Sequence, residues 1–166
     1  MRKGLWRASL WAALALAALT GVGRAGDNET VGETLDVCVY PGDAGQYTGR
    51  EAEWVGSRGQ SRRLLGFKIG FRHAPANVGI RYRGHFENVG DTDWVSEGQV
   101  LTGGEGRRLE GFSIELTGKD AAKYNVLYQA HLENYGDTPV ICNGLFAGTR
   151  GEGRRVEAIS VIVVPK

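Results

Sequence analysis

Apolar and polar residues alternate along several short stretches of this chain, and the same alternation returns at a regular spacing. In Ile80 to Glu87, the residues Ile80, Tyr82, Gly84 and Phe86 alternate with Arg81, Arg83, His85 and Glu87. A strand with one buried and one solvated face shows this period of two. Val126, Tyr128, Ala130 and Leu132 repeat the pattern, and Leu35, Val37 and Val39 are its counterpart nearer the N-terminus. A second set of alternating runs, Phe67-Ile69-Phe71, Phe112-Ile114-Leu116 and Ile159-Val161-Val163, closes each segment. Gly-Asp pairs and glycine-rich stretches punctuate the intervals. No segment has sustained helical spacing, and Lys119 to Lys123 has room for one short helical turn. The pattern predicts an all-β protein in which each segment reads strand, turn, strand, turn, strand.

The segments are copies of one another. Tyr82, His85, Glu87, Asn88, Gly90, Asp91, Thr92 and Gly98 recur 46 positions later as Tyr128, His131, Glu133, Asn134, Gly136, Asp137, Thr138 and Gly144. After a single-residue step the echo resumes at a spacing of 47, with GEGRRLE at 104–110 returning as GEGRRVE at 151–157. A more worn copy precedes both: Gly56, Arg58, Gly59, Arg62 and Arg63 match Gly148, Arg150, Gly151, Arg154 and Arg155 at a constant offset of 92. Its front half is fainter, with Gly42-Asp43 and the alternating run as the only echoes. Three repeats of about 46 residues, at about 33–72, 78–118 and 124–166, therefore fill residues 26–166. A unit this small cannot bury its apolar face alone and is stabilised by packing on its siblings. Three such units around an axis imply a pseudo-threefold β-prism-like domain, with a β-trefoil as the alternative.

Residues 1–25 read differently. Arg2, Lys3 and Arg7 precede the nearly unbroken apolar run Leu10 to Leu19, and Gly23-Arg24-Ala25 supplies small residues at a cleavage position. This is the layout of a secretory signal peptide, and the run is shorter than the roughly 20 apolar residues of a membrane span. The mature chain is expected to be secreted or extracellular, periplasmic in a two-membrane cell, without a membrane span. Losing that segment removes four basic residues and no acidic one, which takes the formal net charge from +1 to about −3. That balance argues against a nucleic-acid partner. The two cysteines, Cys38 and Cys142, fall in the first and third copies and are either bridged or free. In an oxidising compartment, with the copies closed into a ring, a Cys38–Cys142 bond would fasten the chain ends.

The ordered motifs of the third copy also carry a family resemblance. Tyr128-x-x-His131, Asn134-x-Gly136, Asn143-Gly144, Ala147-Gly148-Thr149-x-Gly151 and Arg155-Val156-Glu157-Ala158-Ile159 resemble the clostridial hydrophobic tryptophan (ChW) repeat. The second copy is similar through Tyr82, His85, Trp94, Glu97-Gly98, Gly104 and Arg108-Leu109-Glu110. The Gly-Trp pair of that family is here Gly90-Asp91 and Gly136-Asp137, and its second tryptophan is Trp94, with Val140 at the corresponding place in the third copy. The resemblance implies a secreted, cell-surface module that binds polysaccharide or mediates adhesion.

The repeated polar residues are the candidates for that role. Arg108 with Glu110, and Arg155 with Glu157, are spaced for structural ion pairs that fix strand register; the alternative is a bidentate grip on sugar hydroxyls. Arg62, Arg107 and Arg154 are solvated surface or contacts for acidic glycans. His85 and His131, with Asn88 and Asn134, sit where the first long strand of each copy ends, as hydrogen-bonding links between units or as ligand contacts. Asp91 and Asp137 suit tight turns and also sugar orientation. Trp94 and Trp54 offer an aromatic face to a pyranose ring or to a core. Three histidines in dispersed copies give no zinc cluster, so no metal and no cofactor is expected. Catalysis is not expected either. Glycoside hydrolysis needs two carboxylates about 5 to 10 Å apart, a triad needs three unlike groups converging, and GEGRR leads into a strand rather than a helix. The expected partner is a polysaccharide or glycan at a cell or matrix surface, and the rival expectation is a structural or protein-binding β protein.

Overall fold

The computed structural model describes residues 34–43 and 45–166; the export signal expected at 1–25 lies outside the described residues. Three long antiparallel pairs organise the chain: β1 (Leu35–Pro41) with β4 (Leu64–Phe71), β5 (Gly79–Phe86) with β9 (Leu109–Thr117), and β10 (Tyr124–Leu132) with β14 (Val156–Pro165). Each pair joins the first and last strand of one sequence repeat. Short strands fill the intervals: β2 (Tyr47–Arg50) and β3 (Val55–Gly56), then β6 (Gly90–Asp91), β7 (Val95–Ser96) and β8 (Leu101–Thr102), then β11 (Gly136–Asp137), β12 (Ile141–Cys142) and β13 (Ala147–Gly148). The helical turn expected near Lys119 is a 3-10 turn at Ala121–Lys123.

Three sheets result, and each contains one strand from another repeat. The first runs β2-β1-β4-β8, the second β13-β9-β5-β6, and the third β11-β10-β14-β3. So β8 of the second repeat joins the sheet of the first, β13 of the third joins the second, and β3 of the first joins the third. The exchange is cyclic, and it closes the chain into a ring of three sheets. No copy completes its sheet from its own residues, which is the physical form of the dependence that the repeat pattern implies.

The donated strands cross close to the backbone of their hosts, and this explains glycines that no turn requires. A Cβ on Gly66 of β4 would lie 2.0 Å from the Leu101 carbonyl oxygen, and one on Gly111 of β9 would lie 2.9 Å from that of Ala147. At the third crossing the host residue is Ala158, and the guest supplies the glycine, Gly56. The inner faces of the sheets make one core. Tyr82, Phe67, Phe112 and Tyr128 form a chain of aromatic contacts through it, with ring centroids 5.1, 5.2 and 5.6 Å apart. Equivalent positions compensate in volume. Where the second repeat has Gly84 under the ring of Phe86, the third has Ala130 and Leu132, and the first has Val39 and Pro41.

All three long pairs carry an irregularity at the same place. Register shifts after Tyr40, His85 and His131, leaving Leu65, Glu110 and Glu157 as the extra residue of a bulge. The first repeat thereby corrects one alignment made from sequence. The backbone N–H of Gly42 donates to Arg63 O just as those of Glu87 and Glu133 donate to Arg108 O and Arg155 O. Gly42-Asp43 thus stands at the Glu87-Asn88 turn, and not at Gly90-Asp91. The expected cysteine bridge is also absent. Cys38 and Cys142 are free thiols on the outward-facing registers of two different sheets, and the Cys38 Sγ donates to Gln46 Oε1 at 3.5 Å. Ring closure is made by β3 on β14 instead.

Candidate functional site

Five of the sequence candidates converge in two equivalent clusters at the junctions between repeats. At the first, His131 Nδ1 lies 2.6 Å from Asp137 Oδ1, both from the third repeat. Trp54 of the first repeat meets the His131 ring edge-on at 6.4 Å, and Arg58 lies over the Trp54 ring while donating to Asp137 Oδ2 at 2.7 Å. The second junction repeats this with His85 and Asp91, 2.6 Å apart, joined by Phe146 and Arg150 of the third repeat. Hydrogen bonding from the Arg150 guanidinium, aided by His85, holds the Asp91 carboxyl below the usual carboxylate range against the opposing effect of burial. The carboxylates of these clusters are held by a histidine of their own repeat and an arginine of another, so the clusters clasp one repeat to the next. The third junction has no such clasp. Tyr40 replaces the histidine, Val100 replaces the aromatic residue, and the second repeat is one residue shorter between Thr102 and Gly104, where the others have Arg58 and Arg150.

Asn88 and Asn134 are turn residues, with φ of 57° and 54°, a region that asparagine tolerates better than most side chains. The bulge residues Glu110 and Glu157 are buried. Arg108 binds Glu110 at 2.9 Å and Glu87 at 2.8 Å, and Arg155 binds Glu157 and Glu133, both at 2.9 Å. The Glu157 carboxylate also accepts the Gly59 N–H at 3.1 Å, across the repeat junction. Of the outlying arginines, Arg62 donates to the Tyr47 hydroxyl and Arg154 pairs with Glu152.

Trp94 stands apart from these internally satisfied groups. It is partly exposed on the outer side of the second sheet, where the guanidinium carbons of Arg81 and Arg83 lie 5.0 and 4.9 Å from its ring centroid. Strand alternation sends Arg81 and Arg83 outward from β5, and pairing of β7 with β5 lays the preceding Trp94 beside them. Arg81 is neutralised by Glu115 across the strand pair. The result is a partly exposed indole with two guanidiniums over its ring and a carboxylate beside them, placed on a sheet. Sequence reasoning singled out Trp94 but missed Arg81, Arg83 and Glu115, although their outward phase in the alternation was legible.

A depression of about 660 Å³ lies on the outer side of the first sheet along Asp36, Cys38, Thr48, Lys68 and Arg72. Arg72 and Asp36 pair with each other there at 2.7 Å, and no aromatic side chain lines it, so volume alone is a poor guide to recognition. No group of three or more His, Cys, Asp or Glu side chains converges for a metal among the described residues. Among them, too, no helix is long and apolar enough to cross a membrane.

No curated protein and no solved structure matches the chain. The family model for Clostridial hydrophobic W does, twice, over residues 85–118 and 131–165. Each match starts at the histidine of one repeat and runs through the turn, the donated strand and the bulged final strand. With that order of elements, the second and third copies match the repeat that the model describes, Clostridial hydrophobic W (ChW).

Proposed function

We propose that this protein is a carbohydrate-recognising, cell-surface or secreted module, non-catalytic, whose three sheets are the faces of a pseudo-threefold β-prism. ChW repeats are associated with cell-surface and extracellular proteins, which agrees with the export signal read from residues 1–25. The observation that carries the reading is Trp94. An indole partly exposed on the outside of a strand pair, with the Arg81 and Arg83 guanidiniums over its ring, offers the C–H face of a pyranose the part of the ring they leave open, and offers its hydroxyls their hydrogen-bond donors. Glu115 adds an acceptor for hydroxyls.

The repeats make the three faces similar in plan but different in chemistry. The places of Trp94, Arg81 and Glu115 are taken by Val140, Leu127 and Ile162 in the third repeat. Recognition through Trp94 therefore belongs to one face. The test is affinity electrophoresis of the mature protein in gels containing single polysaccharides, run beside Trp94→Ala. Retardation by a responsive polysaccharide is expected to be lost in the variant while the thermal midpoint stays within about 2 °C, as for a surface substitution. Equal retardation of the two proteins would remove Trp94 from any binding role. A matching fall in the thermal midpoint would assign it to packing.

A further inference from the structure

The third repeat holds a pocket that the second repeat fills. It measures about 240 Å³ and is lined by Leu132, Tyr135, Pro139, Phe146, Thr149 and Glu152, among others. At the equivalent place in the second repeat, the ring of Phe86 packs onto Gly84 and Gly103, so closely that a Cβ on either would lie within 2.6 Å of it. The third repeat has the shorter Leu132 there, with Ala130 and Thr149 in place of the glycines. Its rim differs in the same direction. Val89 and Val100 of the second repeat are replaced by Tyr135 and Phe146. Five differences between otherwise echoing copies thus meet at one place: the shorter Leu132 with Ala130 beside it, two aromatic walls and an added hydroxyl.

Two further observations indicate what such a pocket takes. Tyr135 is 58% exposed, and the Arg154 guanidinium lies over its ring, 6.0 Å from the centroid, and pairs with Glu152 at 2.8 Å. The hydroxyl of Thr149 is buried and has no hydrogen-bond partner, as is true of Ser57 at the same place in the first repeat; in the third repeat it lies on a pocket, where an occupant that shifts its cover would pair it. An apolar wall, one unpaired hydroxyl and an ion pair at the edge suit a small ring that carries hydroxyls on its periphery and C–H bonds on its face. A purely apolar occupant would leave Thr149 unsatisfied, and the volume falls below the range of drug-sized ligand pockets, about 300 to 1,000 Å³.

We infer that the third repeat binds a single neutral pyranose residue, the terminal or side-chain sugar of a glycan, stacked on Tyr135. This rests on the carbohydrate reading above but uses a site separate from Trp94 and different in kind: a pocket for one sugar rather than an open face. Both sites on one rigid ring would raise avidity for a polymer that engages them together.

The experiment is saturation-transfer NMR on the mature protein with the methyl glycosides of glucose, mannose, galactose and N-acetylglucosamine as probes, repeated on Tyr135→Ala, Thr149→Val and Trp94→Ala. At least one glycoside is expected to receive saturation on its ring C–H protons. Tyr135→Ala is expected to weaken it about tenfold and Thr149→Val several-fold, in the native protein and equally in the Trp94→Ala background, which removes any contribution from the open face. Circular dichroism melts of each variant show whether it folds, and Thr149→Val keeps the side-chain volume where Tyr135→Ala does not. No transfer to any of the four, transfer indifferent to Tyr135 and Thr149, or preferential capture of leucine amide over the glycosides would each overturn the pocket. Loss of polysaccharide retardation in Trp94→Ala with silent pocket variants would sink this inference alone. Pocket binding with an unaffected Trp94→Ala gel would sink the Trp94 site and leave the pocket standing.

Discussion

The hydroxyls of Tyr82 and Tyr128 reach out of the core to hold the backbone just ahead of the exchanged strands. Tyr82 accepts the Ile69 N–H at 3.1 Å and donates to Gln99 O at 2.5 Å, and Tyr128 donates to Leu145 O. Burial pushes the Tyr128 phenol up to about 12 and raises that of Tyr82. Burial, helped by the Cys38 thiol, also lifts Tyr40 to about 12. A raised phenol contributes stability that is complete below its unfolded value near 10 and is lost as pH climbs through the folded value. In an ultraviolet titration Tyr40, Tyr82 and Tyr128 are therefore expected to ionise late, together with unfolding. One uniform step near 10 would contradict it. Asp91 has the opposite sign. Its depressed carboxyl contributes stability above about 3.9 that falls away as pH drops toward its folded value, so the melting temperature of Arg150→Ala is expected to depend less on pH below 4 than that of the parent. At neutral pH the same variant should lose no more than about 1 kcal/mol in urea, because both partners are well exposed. His85, His131, Asp91 and Asp137 were legible because they recur. Arg58 and Arg150 had a subtler signal, the one-residue step from 46 to 47 in the echo, which marks the arginine that the second repeat lacks.

Among the elements, the bulged hairpin is the unit that the chain copies. Alternation alone revealed the long strands, since seven to ten residues give several periods of two. It did not reveal the bulge. Arg108 and Glu110, two apart, were assigned one strand face, yet the register slips between them, and the extra residue turns its carboxylate into a buried pocket of two arginine contacts. The donated strands were not legible at all. Each is two residues long, too short to carry a period, and its only trace is a glycine at the crossing. That trace is testable with a matched pair on one strand. Gly66→Ala pushes a methyl group into the Leu101 carbonyl, whereas Gly70→Ala, also on β4, meets nothing within 4 Å. The first is expected to cost about 1–3 kcal/mol in urea unfolding, as overpacking does, and the second close to nothing. Equal effects would mean that β8 does not lie on β4 as described.

Closure of the ring gives the whole molecule a property that neither residues nor strands possess alone. In a row of copies laid side by side, a cut between the second and third would leave the fragments joined by one contact. Here β13 of the third repeat sits in the sheet of the second while β3 of the first sits in the sheet of the third, so a cut leaves contacts running both ways. The exposed connection at Gly118 and Lys119 is the place to make it. A protease site engineered there and cleaved is expected to leave residues up to 118 and the third repeat co-eluting as one species on gel filtration, parting only on denaturation. Gly148→Val supplies the counter-test. Gly148 has φ of +138°, and a Cβ there would stand 2.3 Å from the Gly111 Cα, so valine should expel β13 from its host sheet. In the cleaved protein that removes one of the two links, and the fragments are expected to separate at micromolar concentration. If instead cleavage alone released the third repeat, the exchanged strands would be incidental contacts, and the repeats would owe their association to the aromatic core by itself.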